Sequence, residues 1–218
     1  MALESARASS LCRHLPSHAL TRAHSRTHPS HRAHSRARPL PAQDEEAYDE
    51  INRFKAALHA MYAARGEGVV FLETALLPGG RAAAWRHAAV HVVPMGGELF
   101  VDAPLFFRKA IEEEGEWATN KQLIETRGKG LRRAVPRGFS YFHVAWVGDG
   151  FVHPIEDEGA FPEDFGLDVA AGMLGEAPAR FGRREAAPRS AQAEHEAVRA
   201  FIAGGWAAHD FTAALATE

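Results

Sequence analysis

The chain has 218 residues, 46% of them hydrophobic, which suits one folded domain with additional segments. No apolar run approaches the ~20 residues that a membrane-crossing helix needs, so no membrane partner is expected. One cysteine, Cys12, excludes an internal disulfide framework and a cysteine-based zinc cluster. The formal net charge of -3 hides a division. Residues 1–43 hold seven arginines (Arg7, Arg13, Arg22, Arg26, Arg32, Arg36 and Arg38), six histidines and one acid, Glu4. The remaining 18 basic and 27 acidic residues lie in 44–218, so the body is acidic and the head basic. Nucleic acid can therefore be expected only at local basic patches, and no DNA partner is expected.

The head is low in complexity. "TRAHSRTHPSHRAHSRARP", residues 21–39, repeats Arg, His and Ser units with too few apolar residues to bury a face, which predicts disorder over 1–43. Its composition fits three readings: an organellar transit peptide, a basic RNA-binding or nuclear tail, and an extension with no structural role. Its histidines lack fixed cysteine or carboxylate partners, so no metal site is expected there.

The first element of the body is a helix in "DEEAYDEINRFKAALHAMYAARG". Ala47, Ile51, Phe54, Leu58 and Met61 recur at three- and four-residue spacing, and Gly66 ends it. "VVFLET", 69–74, reads as a strand, and "LLPGGRAAA" as a loop. "HAAVHVVP", 87–94, reads as a second strand closed by Pro94. A helix is predicted over 102–115, with Asp102 as its cap and Pro104 in its first turn, followed by a second short helix in "EWATNKQLIET". "FSYFHVAWV" and "FVHPIE", joined through Gly148-Asp149-Gly150, form the clearest hairpin. A helix from about Pro162 to Leu174 carries Phe165, Val169 and Met173 at intervals of four, and a last helix spans roughly 190–203. Four short strands alternating irregularly with helices predict an α+β fold.

Two stretches carry chemical content. On the predicted second strand, His87, Ala89, His91 and Val93 share one face. Such positions advance by roughly 6.6 Å per pair and can line up along a phosphate chain. A central imidazole there can attack phosphorus while its neighbours orient it. The central place here is Ala89, whose methyl group neither attacks nor hydrogen-bonds. Ordinary half-buried strand is the competing reading, and a metal site from His87, His91 and His143 a further one. The other stretch is "TRGKGLRRAVPRGFSYFHV", 126–144. Arg127, Lys129, Arg132, Arg133 and Arg137 lie close together in an otherwise acidic body, with Phe139, Tyr141 and Phe142 directly after. Arginines grip phosphates and rings stack on unpaired bases, a combination suited to single-stranded RNA. Equally, the cations can pair with acids such as Glu112–Glu114 while the rings enter the core. Strand alternation puts Phe142, Val144 and Trp146 on one face and Tyr141, His143 and Ala145 on the other, and at least one face must be core.

"DEINRFKAALHAMYAARGEGVVFLET", "HVVPM", "FFRKAIEEEGEWATNKQLIE", "GLRRAVPRGFSYFHV", "FVHPIEDEGAFPEDFG" and "HDFT" resemble the C-terminal region of CwfJ-type proteins, the CWF-nineteen-like splicing factors, and look closest to the second of the two animal types. The resemblance runs over roughly 44–212. It implies a histidine-triad-like (HIT-like) mixed sheet with flanking helices, followed by a C-terminal hairpin-and-helix part. The organisation it suggests is a head over 1–43, a partial HIT-like part over 44–98 and the family's C-terminal part over 99–218. The family's first half begins upstream with cysteines and a "GHC-hydrophobic-P" strand that 1–43 does not resemble, so the chain reads as an N-terminally truncated member with an unpaired sheet edge.

The resemblance also implies a nuclear protein of the late, intron-lariat spliceosome that contacts RNA and splicing proteins and is tied to lariat turnover. HIT enzymes use the middle histidine as nucleophile, and Ala89 stands in that place between His87 and His91. A non-catalytic binding module without metal or cofactor is therefore expected, with Lys129, Arg132, Arg133 and Arg137 as RNA contacts. The alternative function is a HIT-type nucleotide phosphoramidase or hydrolase, and the alternative location an organelle reached through the Arg-rich head.

Overall fold

The structure, a computed structural model, describes residues 45–76, 89–113, 123–136, 138–175 and 190–212. The Arg/His/Ser-rich head, His87, Arg137 and most of the predicted short helix after residue 115 lie outside the described residues. Helix α1, Glu45–Ala63, forms where the apolar spacing places it, and buries Ala47, Leu58, Met61 and Tyr62. Strand β1, Glu67–Ala75, is buried without a break from Gly68 to Glu73. Strand β2, His91–Gly96, starts later than its sequence pattern suggests and runs through Pro94, which lies opposite Val69. The proline fits an edge strand, because β2 pairs only with β1 among the described residues and alternate N–H positions of such a strand face away from the ladder.

Helix α2, Gly97–Glu113, also begins before the expected Asp102 cap, and Pro104 sits inside it rather than in its first turn. Ala103, Phe107, Ala110 and Ile111 are buried at helical spacing on both sides of Pro104, and Phe100 packs beside them. Packing of that stripe overrides the local start signal. Residues Ile124–Glu125 form strand β3, not the expected helix, because Ile124 and Glu125 pair with Val152 and Phe151 at the sheet edge. A single helical turn, α3, covers Leu131–Ala134.

The expected hairpin is present as β4, Tyr141–Trp146, and β5, Asp149–Pro154, in register from Tyr141 opposite Pro154 to Trp146 opposite Asp149. Helix α4 covers Phe165–Met173, a few residues shorter at its start than predicted, since Glu163 and Asp164 form a turn ahead of it. Helix α5, Ala191–Ala203, starts at Ser190, whose hydroxyl accepts from the Ala193 amide at 3.2 Å. A short 3-10 turn, Trp206–Ala208, follows.

The strands make one antiparallel sheet in the order β2-β1-β4-β5-β3. The α+β class holds, with five strands rather than four among the described residues. Alternation sends successive side chains to opposite faces, and both faces are covered. On one, α2 and α4 pack over Val70, Leu72, Phe142, Val144 and Phe151. Phe142 is fully buried there, its ring 6.4 Å from that of Phe107 and 5.1 Å, edge-on, from that of Phe165. On the other, α1 and α3 cover Val69, Phe71, Tyr141 and Val152, with Phe201 and Trp206 alongside.

A polar seam runs through this second core. Glu73 is 2% exposed, and the Tyr141 hydroxyl donates to its Oε1 at 2.7 Å. His143 lies opposite Glu73 in the ladder. Burial first, and the Lys55 charge second, push His143 down to about 3. Burial also lowers Lys55, against the opposing pull of Glu73.

Two predictions follow from this packing. His143 binds a proton in the unfolded chain below its ordinary 6.5 but stays neutral in the fold down to about 3. Between those values the unfolded state binds more protons, so stability that is full above 6.5 falls as pH drops toward 3. The slope approaches about 1.4 kcal/mol per pH unit. Urea unfolding from about pH 7 to about pH 4.5 should show His143→Gln losing less stability than the parent, and equal losses would refute this origin.

Gly150 makes the second prediction. A Cβ there would lie 2.4 Å from the Val144 carbonyl oxygen and 3.1 Å from Thr126 Oγ1. Gly150→Ala should therefore cost about 2 kcal/mol in chemical denaturation. It should also speed tryptic cleavage after Arg127 and Lys129, because the Thr126 amide is tied to the Gly150 carbonyl at 2.9 Å.

Candidate RNA interface

The histidine strand and the basic loop occupy different parts of the sheet. Ala89 and Val90 precede β2, and His91 is its first residue. His91 lies opposite Leu72, whereas His143 lies opposite Glu73. Leu72 and Glu73 are consecutive on β1, so the two imidazoles sit on opposite faces of the sheet. They cannot converge on one phosphate or one metal ion, which counts against the lesser reading of a metal site that joins His91 to His143. Among the described residues no group of three His, Cys, Asp or Glu side chains is placed to hold a metal.

The basic loop is tethered at its start. Thr126 donates its amide to Gly150, and its carbonyl accepts from the Lys129 and Gly130 amides at 3.0 and 2.9 Å. Gly128 and Gly130 both take φ of 70°, a left-handed conformation that lets the chain fold back on either side of Lys129. The α3 turn then seats Leu131 and Ala134 in the second core.

That seating sorts the cations. Arg127 is 80% exposed, but its Nε lies 2.8 Å from Asp149. Arg132 turns toward α1, with its guanidinium 4.2 Å from the centre of the Tyr48 ring and 3.7 Å from a Glu45 oxygen. Lys129 and Arg133 are exposed, and neither forms an ion pair with another described residue. Among the described residues, Glu45 and Asp149 are acids that meet the loop. Glu112, an alternative partner in the sequence, pairs instead with Arg108 at 3.8 Å, and Arg108 also reaches Glu125 at 2.7 Å.

The rings divide likewise. Tyr141 and Phe142 are core residues and cannot stack on a base, whereas Phe139 is 56% exposed. The sequence did not show Tyr48 as a partner of the loop, since nothing local links α1 to α3. Among the described residues the arrangement offers two cations outside any ion pair and an exposed ring on a tethered loop, which suits contact with an extended polyanion carrying stackable groups.

Comparison with known proteins fits this chain into a family. Residues 12–108 match the family described as "Protein similar to CwfJ C-terminal", and residues 116–212 match "Protein similar to CwfJ C-terminus 2". The first match begins within the Arg/His/Ser-rich head and ends at Arg108, inside α2; the second begins at Glu116. The chain is 45% identical over 133 residues to "CWF19-like protein 2 homolog" of Drosophila melanogaster, covering 60% of this chain and 19% of that protein. It is 34% identical over 171 residues to human "CWF19-like protein 2", covering 78% of this chain and 18% of that protein. Against the Caenorhabditis elegans "CWF19-like protein 2 homolog" it is 36% identical over 151 residues, or 68% of this chain and 32% of that protein. The chain thus spans a third or less of the length of these relatives. Two family regions matched in tandem, together with these relatives, place the chain in the CwfJ family, whose C-terminal region it represents.

Proposed function

We propose that this chain is a non-catalytic RNA- and protein-binding module of the spliceosome, acting in the nucleus in pre-mRNA splicing at the intron-lariat stage and in lariat turnover. Membership of the CwfJ family supports the splicing role. Lys129 and Arg133 contact phosphates of single-stranded or branched intron RNA, Arg137 adds a third cation, and Phe139 stacks on a base. The observation that carries this reading is the exposure of Lys129, Arg133 and Phe139 together, beside a loop held by Thr126, on an otherwise acidic body. The absence of catalysis rests on Ala89, which puts a methyl group where the nucleophile would stand, and on the opposite facing of His91 and His143.

Fluorescence anisotropy with a single-stranded oligoribonucleotide and a branched one, across a salt series, tests the RNA contact. The plot of log affinity against log salt should flatten by about 0.7 for each of Lys129→Ala and Arg133→Ala. An unaltered slope in the double variant would remove these residues from the interface. Incubation with adenosine phosphoramidate should give no turnover; turnover abolished by His91→Ala would reverse the non-catalytic assignment.

A further inference from the structure

We infer that Arg132 is a positioning residue and not a phosphate contact: Tyr48 of α1 holds its guanidinium, and this hold fixes the loop that presents Lys129 and Arg133. The inference rests on the RNA-binding reading above and names the part of the fold that organises that site.

The geometry begins with the shortness of α3. Its two end residues, Leu131 and Ala134, are buried, so the turn is anchored by its apolar ends. Consecutive helical residues differ by about 100° in direction. Arg132 and Arg133 therefore cannot point the same way, and the burial agrees: Arg133 is exposed, whereas the Arg132 side chain is 26% exposed.

Two groups on α1 receive Arg132. The Tyr48 ring centre is 4.2 Å from the guanidinium carbon, within the range of a strong cation–π contact. Glu45 is 3.7 Å away but 88% exposed, so water screens it and the pair contributes little. Tyr48 is the firmer partner because it is itself half-buried against the second core, beside Ile51. A guanidinium set over a ring has committed one face, and at 26% side-chain exposure Arg132 offers a phosphate less surface than the exposed Arg133 does.

The consequence lies at the loop. Thr126 tethers its start, and the glycines at 128 and 130, both at φ of 70°, give the stretch between few side-chain restraints. The Arg132–Tyr48 contact restrains its far end and ties it to α1. Holding Lys129 and Arg133 in place before RNA arrives reduces the ordering that binding must impose.

The two roles differ in what salt does to them. Loss of a phosphate contact flattens the salt dependence, whereas loss of an anchor weakens binding and leaves the number of displaced ions unchanged. Arg132→Ala and Tyr48→Ala should each weaken oligoribonucleotide affinity by about three- to ten-fold with the parent salt slope. The double variant should lose no more than either single one, and Tyr48→Phe, which keeps the ring, should bind as the parent does. A slope reduced in Arg132→Ala as in Lys129→Ala, with Tyr48→Ala unaffected, would overturn the inference and make Arg132 a phosphate contact. If the parent chain binds no RNA, the functional reading fails separately. The anchor is then read by amide hydrogen exchange over residues 126–134. Faster exchange in both Arg132→Ala and Tyr48→Ala sustains it, and unchanged exchange overturns it.

Discussion

Strand β1 constrains everything else in this molecule. It has a hydrogen-bonded neighbour on each side, β2 and β4, and a layer of helices over each face. From Gly68 to Glu73 no residue reaches solvent appreciably. A strand buried on both faces reads as nearly continuous apolar sequence, and "VVFL" is that run. Glu73 breaks the pattern. A carboxylate at 2% exposure is costly unless it is hydrogen-bonded and has a countercharge near. Tyr141 supplies the hydrogen bond at 2.7 Å, and Lys55, reaching in from α1, supplies the charge. Helix α1 also sets Lys55 Nζ 5.7 Å from the centre of the Phe71 ring on β1, beside the packing of Leu58 and Met61.

The same strand decides what chemistry the histidines can do. Phosphoryl transfer by imidazole needs a nucleophile and its orienting groups on one face, within reach of one phosphorus. Leu72 and Glu73 send their ladder partners, His91 and His143, to opposite faces. His143 is moreover 5% exposed and held neutral far below its usual range, so it meets neither solvent nor substrate. It is a seam residue, packed opposite Glu73 beneath α1. Ala89 completes the picture, because a methyl group neither attacks nor hydrogen-bonds at that place.

Much of this was legible in the sequence, and the misses have physical causes. Helix α1 and the β4–β5 hairpin showed because their signals are local: a three-four apolar period in one, a glycine-rich turn between alternating runs in the other. Pro94 and Pro104 misled because a proline reads as a boundary. An edge position made the first harmless, and a continuous buried stripe carried the helix through the second. Strand β3 was hidden because pairing with Val152 and Phe151, far along the chain, creates it. The basic cluster itself was plain in the sequence. Its division into free and committed cations was not, since Tyr48, Glu45 and Asp149 are brought to it only by the fold. One hint was available: "LRRA" has apolar ends too close together for both arginines between them to face outward.

That division bears on how strongly the site can act in the proposed role. Arg127 and Arg132 have carboxylates beside them, so the field at the loop belongs mainly to Lys129 and Arg133, with an acidic body behind. Two or three phosphate contacts on a single strand give weak, salt-sensitive binding without sequence selectivity. In that role a ring at Phe139 would add about 1–3 kcal/mol of stacking, again with little preference among bases. A site of this strength is useful where a second contact already holds the RNA near it, because the effective concentration then replaces intrinsic affinity. Under those conditions the value of a preformed loop rises, since rigidity raises the yield of each encounter without adding a contact. The hold of Tyr48 on Arg132 would then serve the same end as a further cation, while leaving the loop with less charge to attract unrelated anions.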